Sequence, residues 1–210
     1  MKKLIIGIVA ENNAGKSSTA SILEGIGAKH YSMRQVIQES YAEVNNGAFC
    51  TTRAALNEFS QQWKKKNGAH IFIEEAVRHF CASECTAPYA VIESLRAPGE
   101  ARWLLQLPQK IQSIDVVIVG ITAPYEDRLS RFLQGGMGEI GGELTENHFM
   151  HHESLAKGGS TEWEENVAET LKLAHKVFSN PNGLIDIFKK NIIEYIQSVY
   201  QQNNKTFTSL

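Results

Sequence analysis

Residues 4–17 read LIIGIVAENNAGKS, which joins an apolar run, a polar turn and the start of a helix. The run Leu4–Ala10 is uncharged and rich in β-branched residues, which is typical of a strand buried on both faces in a parallel sheet. The turn leads into Lys16–Glu24, whose pattern predicts a helix, and Gly25 and Gly27 then break the chain. The chain therefore contains a strand–turn–helix unit near its start.

The turn matches the phosphate-binding pattern G-x-x-x-x-G-K-[ST], or P-loop, with Ala10 in place of the first glycine. Backbone N–H groups in such a loop form a concave anion site, and the following helix adds the positive end of its dipole. Lys16 adds a full charge, and Ser17 stands where a hydroxyl can ligate Mg²⁺. A chance match is the alternative, but the strand before the turn and the helix after it argue against one. The candidate nucleotide-binding residues are Asn12, Asn13, Ala14, Gly15, Lys16, Ser17 and Ser18.

Strand and helix patterns alternate along the rest of the chain. Further strands are predicted at residues 28–32, 89–93, 115–121 and 175–179. Helices are predicted between them, including one near 143–155 and one from Glu162 to Leu173 that Ser160 or Thr161 would cap. Such alternation indicates an α/β fold: a five-stranded parallel sheet between two helical layers, with right-handed crossovers.

Composition narrows the class of protein. A chain of 210 residues favours one domain, and 42% hydrophobic with 21% charged residues is ordinary for a soluble globular protein. The net charge of -2 argues against a nucleic-acid binder, and we interpret the lysines at 64–66 as a helix C-terminus. Three cysteines do not form a disulfide framework, so we expect a reduced, cytoplasmic protein. The longest apolar run is too short to span a membrane.

Three further segments accompany the P-loop: YSMR at Tyr31–Arg34, IESLRAPGE at Ile92–Glu100, and AHKVFSNPNG at Ala174–Gly183. Their order resembles that of the P-loop nucleoside monophosphate kinase group, including dephospho-CoA kinases, deoxynucleoside monophosphate kinases and archaeal adenylate-kinase-like proteins. The resemblance implies a three-layer P-loop NTPase fold with sheet order 2-3-1-4-5 in a single domain, residues 1–210. It also implies a helical acceptor-binding insert near residues 33–82, a lid near residues 125–158, ATP and Mg²⁺ as cofactors, and a small nucleotide-like acceptor.

The resemblance also implies roles for side chains on the acceptor side. Arg34 would bind the acceptor phosphate, since a guanidinium grips a phosphate with two parallel hydrogen bonds. Glu93 would contact Mg²⁺ or the acceptor, and Arg96 would bind substrate phosphate. Here glutamate replaces the family's aspartate, and Ser94 replaces its glycine. The alternatives are a solvated helix residue for Arg34 and a salt-bridged strand end for Glu93 and Arg96.

The lid and the last segment supply the nucleotide side of the implied site. Arg128 would bind the nucleotide, and Arg131 would stabilise charge on the transferring phosphoryl group. The stretch 134–142 contains no basic residue, so a further lid arginine common in the family is absent. Asn180 would lie near the base, although an Asx turn before Pro181 would also explain it.

These residues support one leading hypothesis, a kinase that transfers the γ-phosphate of ATP, with Lys16, Glu93, Arg96 and Arg131 as catalytic residues. One alternative is a P-loop ATPase or GTPase that hydrolyses without an acceptor, although a water-positioning residue is not evident. The other alternative is a nucleotide-binding regulatory protein without turnover, which the poorly basic lid and Glu93 suggest. The acceptor, the choice between ATP and GTP, and the oligomeric state stay open.

Overall fold

The computed structural model describes residues 2–82, 84–135 and 144–205. These residues form five parallel strands in the order β2-β3-β1-β4-β5. The strands are β1 (Lys3–Ala10), β2 (Ala28–Ser32), β3 (Tyr89–Leu95), β4 (Ile114–Thr122) and β5 (Lys176–Ser179). The predicted α/β class and the predicted strand order are therefore confirmed.

Helices connect the strands and cover both faces of the sheet. The helices are α1 (Lys16–Glu24), α2 (Met33–Val44), α3 (Arg53–Asn67), α4 (Ile71–Cys81), α5 (Pro98–Lys110), α6 (Tyr125–Leu133), α7 (Glu146–Leu155), α8 (Val167–Leu171) and α9 (Ile185–Lys205). Helices α2, α3 and α4 all lie between β2 and β3, where the sequence predicts the acceptor-binding insert. The predicted lid contains α6 and α7, and residues 136–143 of it lie outside the described part of the chain.

Strand β1 lies in the middle of the sheet, and its side chains are apolar on both faces. Ile5 and Val9 belong to the core on one side of the sheet, and Leu4, Ile6 and Ile8 belong to the core on the other side. Full burial of one such side chain stabilises a protein by roughly 1.5–3 kcal/mol relative to its exposure. An uninterrupted apolar run is what a strand with helices on both faces requires.

The two helical layers present apolar faces at helical spacing. On the side of Leu4, α9 buries Phe188, Ile192 and Ile196, which are four residues apart and so share one face of the helix. On the side of Ile5, α4 and α5 supply most of the buried helical residues of the core. Along the described stretches of the chain, no helix combines the length and the apolarity that a membrane crossing requires.

The helix predicted from Glu162 to Leu173 is wrong, because only Val167–Leu171 is helical and Asn166 caps it. The backbone before Val167 forms hydrogen bonds outside a helix. The Asn166 N–H donates to the Arg96 carbonyl, directly after β3, at 2.9 Å. The Glu164 carboxylate accepts the Ser160 and Thr161 N–H groups, which forms a turn instead of a helix start. Contacts with the end of β3 therefore override the local helical pattern.

Candidate active site

The phosphate-binding turn lies at the carboxyl end of β1, where ligands bind in open α/β sheets. Asn13 has a φ of 58° and Gly15 a φ of 105°, so the chain turns through two left-handed residues before α1 begins at Lys16. Ala10 is the last residue of β1 and keeps strand geometry. The methyl group that replaces the first glycine of the pattern therefore carries no left-handed strain.

Gly15 is required here by a close approach as well as by its φ. A Cβ atom at this position would lie 2.4 Å from the Nδ2 of Asn180. Asn180 is buried, and its Nδ2 donates to the Ala14 carbonyl at 2.8 Å. The segment after β5 is thereby tied to the phosphate-binding turn.

Ser17 and Glu93 meet at the edge of this turn. The Ser17 hydroxyl donates to Glu93 Oε1 at 2.7 Å. Mg²⁺ prefers oxygen ligands at 2.0–2.1 Å in octahedral geometry, so two neighbouring ligands stand about 2.9 Å apart. The hydroxyl and the carboxylate therefore fit Mg²⁺ in type and in spacing. Among the described residues no three His, Cys, Asp or Glu side chains form a cluster that could hold a metal ion.

Glu93 lies at a bulge in β3. The β1–β3 register runs to the pair Gly7 and Ile92, then resumes at Val9 and Leu95, so two residues of β3 oppose one of β1. Ser94, directly after Glu93, has a φ of 72°. Bulges bend a strand and re-aim its side chains, and they are common beside active sites.

His30 is a further residue at this point that the sequence analysis did not identify. Its Nε2 lies 2.8 Å from Glu93 Oε2, on the side of the carboxylate away from Ser17. Its partner is 63 residues away along the chain. Only the register between β2 and β3 brings the two together, and no local pattern encodes that register.

A small cleft opens on the β5 side of the phosphate turn. Its volume is about 170 Å³, and its lining is Gly15, Ser18, Arg131, Asn180, Pro181, Asn182, Gly183 and Ile185. The Arg131 guanidinium donates to the carbonyl of Asn13 at 3.2 Å, to that of Asn180 at 2.7 Å and to Asn182 Oδ1 at 2.8 Å. Arg131 therefore stands between the phosphate turn and the place expected for a base.

Arg128 is buried and bridges the phosphate turn to α7. Its guanidinium is 2.9 Å from Glu153 and 3.4 Å from Glu11, and Asn12 Nδ2 donates to the His152 carbonyl at 3.1 Å. Two carboxylates compensate one buried cation, as the cost of removing charges from water requires. In this structure α7 is therefore fastened to the loop that precedes α1.

A larger cavity of about 510 Å³ lies on the β2 side, between α2 and the start of α3. Its lining is Ser32, Arg34, Gln35, Gln38, Glu39, Phe49, Cys50, Thr51, Thr52 and Leu56. Arg34 is exposed at this cavity. Arg96 lies at the end of β3, and its Nη1 forms a 2.7 Å ion pair with Glu165.

Comparisons with known proteins find matches in structure alone: no protein family matches the sequence, and no curated protein does. A Thermus thermophilus protein called TT1252 is 18% identical, with a TM-score of 0.54 and coverage of 96% of this chain and 98% of that one. A shikimate kinase of Acinetobacter baumannii is 13% identical, with a TM-score of 0.53 and 94% of each chain covered. The shikimate kinase of Bacteroides thetaiotaomicron is 9% identical, with a TM-score of 0.51 and coverage of 92% and 98%.

The chain has the fold of P-loop kinases. At these identities the likeness concerns the fold alone, and the role of each side chain stays a prediction. Within this P-loop kinase fold, the structure brings Ser17 to Glu93, and it brings Arg131 and Asn180 to the phosphate turn. Arg34 and Arg96 lie on the other side of β1, next to the larger cavity and at the end of β3.

Proposed function

We propose that the protein is an ATP-dependent phosphotransferase, a small-molecule kinase whose acceptor is a nucleotide or a nucleotide-like compound. The observation that carries this proposal is the 2.7 Å contact between Ser17 and Glu93, which joins the phosphate turn to the neighbouring strand. In the sheet order, the larger cavity lies beyond β3 and the smaller cleft lies beyond β4. A donor and an acceptor on opposite sides of one phosphate-binding loop are what in-line transfer requires.

On the nucleotide side, the backbone from Asn12 to Ser18 would hold the phosphates of ATP, with the charge of Lys16 beside them. Ser17 and Glu93 would ligate Mg²⁺, which when bound neutralises charge on the terminal phosphates. Arg131 would act on the phosphoryl group in transfer, and Asn180 would border the base. We expect Arg128 to bind nucleotide indirectly, because its guanidinium already pairs with Glu11 and Glu153.

On the acceptor side, the larger cavity of about 510 Å³ has the volume of a small-molecule site, for which roughly 300–1,000 Å³ is usual. Arg34 at this cavity would bind the acceptor phosphate. Arg96 would join it by exchanging its pairing with Glu165 for the more highly charged phosphate. Such a dedicated second cavity favours transfer over hydrolysis.

The test is ADP release from Mg·ATP with a panel of acceptors and a control without acceptor. The panel contains nucleoside monophosphates, deoxynucleoside monophosphates, dephospho-CoA and shikimate, the last because shikimate kinases share the fold. Release that depends on one acceptor supports the proposal and names the substrate. Equal release without acceptor indicates an ATPase, and tight ATP binding without release indicates a regulatory protein.

Variants of Arg34 test the acceptor site. We expect Arg34→Gln to raise the acceptor KM about 10- to 100-fold, because a charged hydrogen bond contributes roughly 1.5–3 kcal/mol. Arg78→Gln is the matched control, since Arg78 is exposed on α4 and pairs with Glu75. An unchanged KM in Arg34→Gln would remove Arg34 from the acceptor site.

A further inference from the structure

The two oxygens of the Glu93 carboxylate have different partners. Oε1 accepts from Ser17 at 2.7 Å, and Oε2 lies 2.8 Å from His30 Nε2. A carboxylate without a proton can only accept, so Nε2 is the donor in this contact. Glu93 is 8% exposed, which leaves little room for the carboxylate to rotate away from either partner.

The backbone determines the contact between His30 and Glu93. Ser32 of β2 pairs with Glu93 of β3, and His30 precedes Ser32 by two residues. Side chains two apart on a strand share a face, so His30 and Glu93 are diagonal neighbours on one face of the sheet. His30 Nδ1 also lies 3.7 Å from Glu24 at the last residue of α1, the helix that begins at the phosphate turn.

We propose that His30 is a positioning residue for Glu93. By holding Oε2, it directs Oε1 at Ser17 and at the Mg²⁺ that these two residues would share. This inference rests on the proposed function, because it assumes a nucleotide and a metal ion at the phosphate turn. It assigns His30 an effect on metal-dependent nucleotide binding and no contact with either substrate.

The experiment measures ATP binding by calorimetry in two buffers, one with Mg²⁺ and one with EDTA, without an acceptor. For His30→Ala we expect the gain in affinity that Mg²⁺ confers to fall about 10-fold, the lower end of the 10- to 100-fold effect of removing such partners of metal ligands. The affinity in EDTA should match that of the unaltered protein. His30→Gln retains an amide N–H and should recover most of the loss, while His30→Asn is one methylene shorter and should not.

His79→Ala is the matched control, because His79 is an exposed histidine that contacts Glu75 at 2.9 Å on α4. It should bind ATP like the unaltered protein in both buffers. An unaltered Mg²⁺ effect in His30→Ala would overturn the inference, and so would an equal loss in both buffers. If His30→Ala does not fold, the comparison of His30→Gln with His30→Asn tests the inference instead. Equal Mg²⁺ effects on ATP affinity in these two variants would overturn it. Absence of any Mg²⁺ effect in the unaltered protein would instead refute the proposed function.

Discussion

Lys64→Met tests the contribution of a buried ion pair to the stability of the fold. Lys64 on α3 forms a 2.5 Å ion pair with Glu100 on α5, and their side chains are 8% and 4% exposed. The other oxygen of Glu100 accepts the N–H groups of Arg96 and Ala97 at 2.7 and 2.9 Å. Methionine keeps the length of the lysine chain but leaves a buried carboxylate without its cation.

We expect Lys64→Met to lower the free energy of unfolding by about 3–5 kcal/mol, the usual cost of removing one partner of a buried pair. A domain is typically stable by only 5–15 kcal/mol, so the loss is a large fraction of the total. If unfolding in urea has a slope of about 2–3 kcal/mol per molar, the midpoint should fall by roughly 1–2.5 M.

Urea unfolding followed by circular dichroism measures this loss, with Lys65→Met as the matched control. Lys65 is the next residue on α3 and is exposed, so we expect its replacement to change stability by less than about 0.5 kcal/mol. The double variant Lys64→Met/Glu100→Gln should recover part of the loss because no unpaired charge remains. A loss below about 1 kcal/mol in Lys64→Met, or one equal to that of Lys65→Met, would contradict the assigned pairing.

Three further predictions concern the site and its surroundings. Gly15→Ala should weaken ATP binding at least 10-fold in calorimetry, because its Cβ would displace the Asn180 side chain at a φ of 105°; unchanged binding would contradict the geometry of the turn. Ser94→Val should be less stable than Ser94→Gly by about 2 kcal/mol in urea unfolding, because a β-branched residue is strained at a φ of 72°; equal stabilities would show that the bulge is absent. Burial raises the pKa of Tyr31 to about 12, with Cys85 adding to the effect. The fold therefore favours the protonated phenol, so this contribution to stability is complete below about pH 10 and is lost between about pH 10 and pH 12. Tyr31→Phe should flatten that decline in unfolding experiments, and an unchanged pH dependence would argue against the raised pKa.

The fold could be predicted because its signals are local. The apolar run of β1, the P-loop pattern and the alternation of strands and helices are each visible in the local sequence, and α1 has the predicted bounds. The strand order came from resemblance, since periodicity does not say which strands are neighbours. The helix at 162–173 was wrong because hydrogen bonds to the end of β3 outweigh the local preference.

The residues of the candidate site also fall into two groups, those that the sequence marks and those that only the tertiary structure brings together. The P-loop and Glu93 were found because a motif or a resemblance marks them. His30, Glu153 and the pairing of Lys64 were not found, because each has its partner on another element: Glu93, Arg128 and Glu100 respectively. The lysine run at 64–66 does lie in the last turn of α3, as expected. However, Lys64 is buried and pairs with Glu100 of α5, whereas Lys65 and Lys66 are exposed.

The bulge in β3 shows how one inserted residue can serve the core and the site together. Ile92 and Leu95 are three residues apart, so a regular strand would place them on opposite faces, yet both belong to the same core cluster. The extra residue at Glu93–Ser94 returns Leu95 to the face of Ile92, while Glu93 keeps the opposite face, in register with Ser32 of β2 and in contact with Ser17. If the bulge were removed, either Leu95 would lose its place in the core or Glu93 would lose its contact with the phosphate turn. The left-handed Ser94 therefore lies where the strand accommodates both the buried Leu95 and the contact between Glu93 and Ser17.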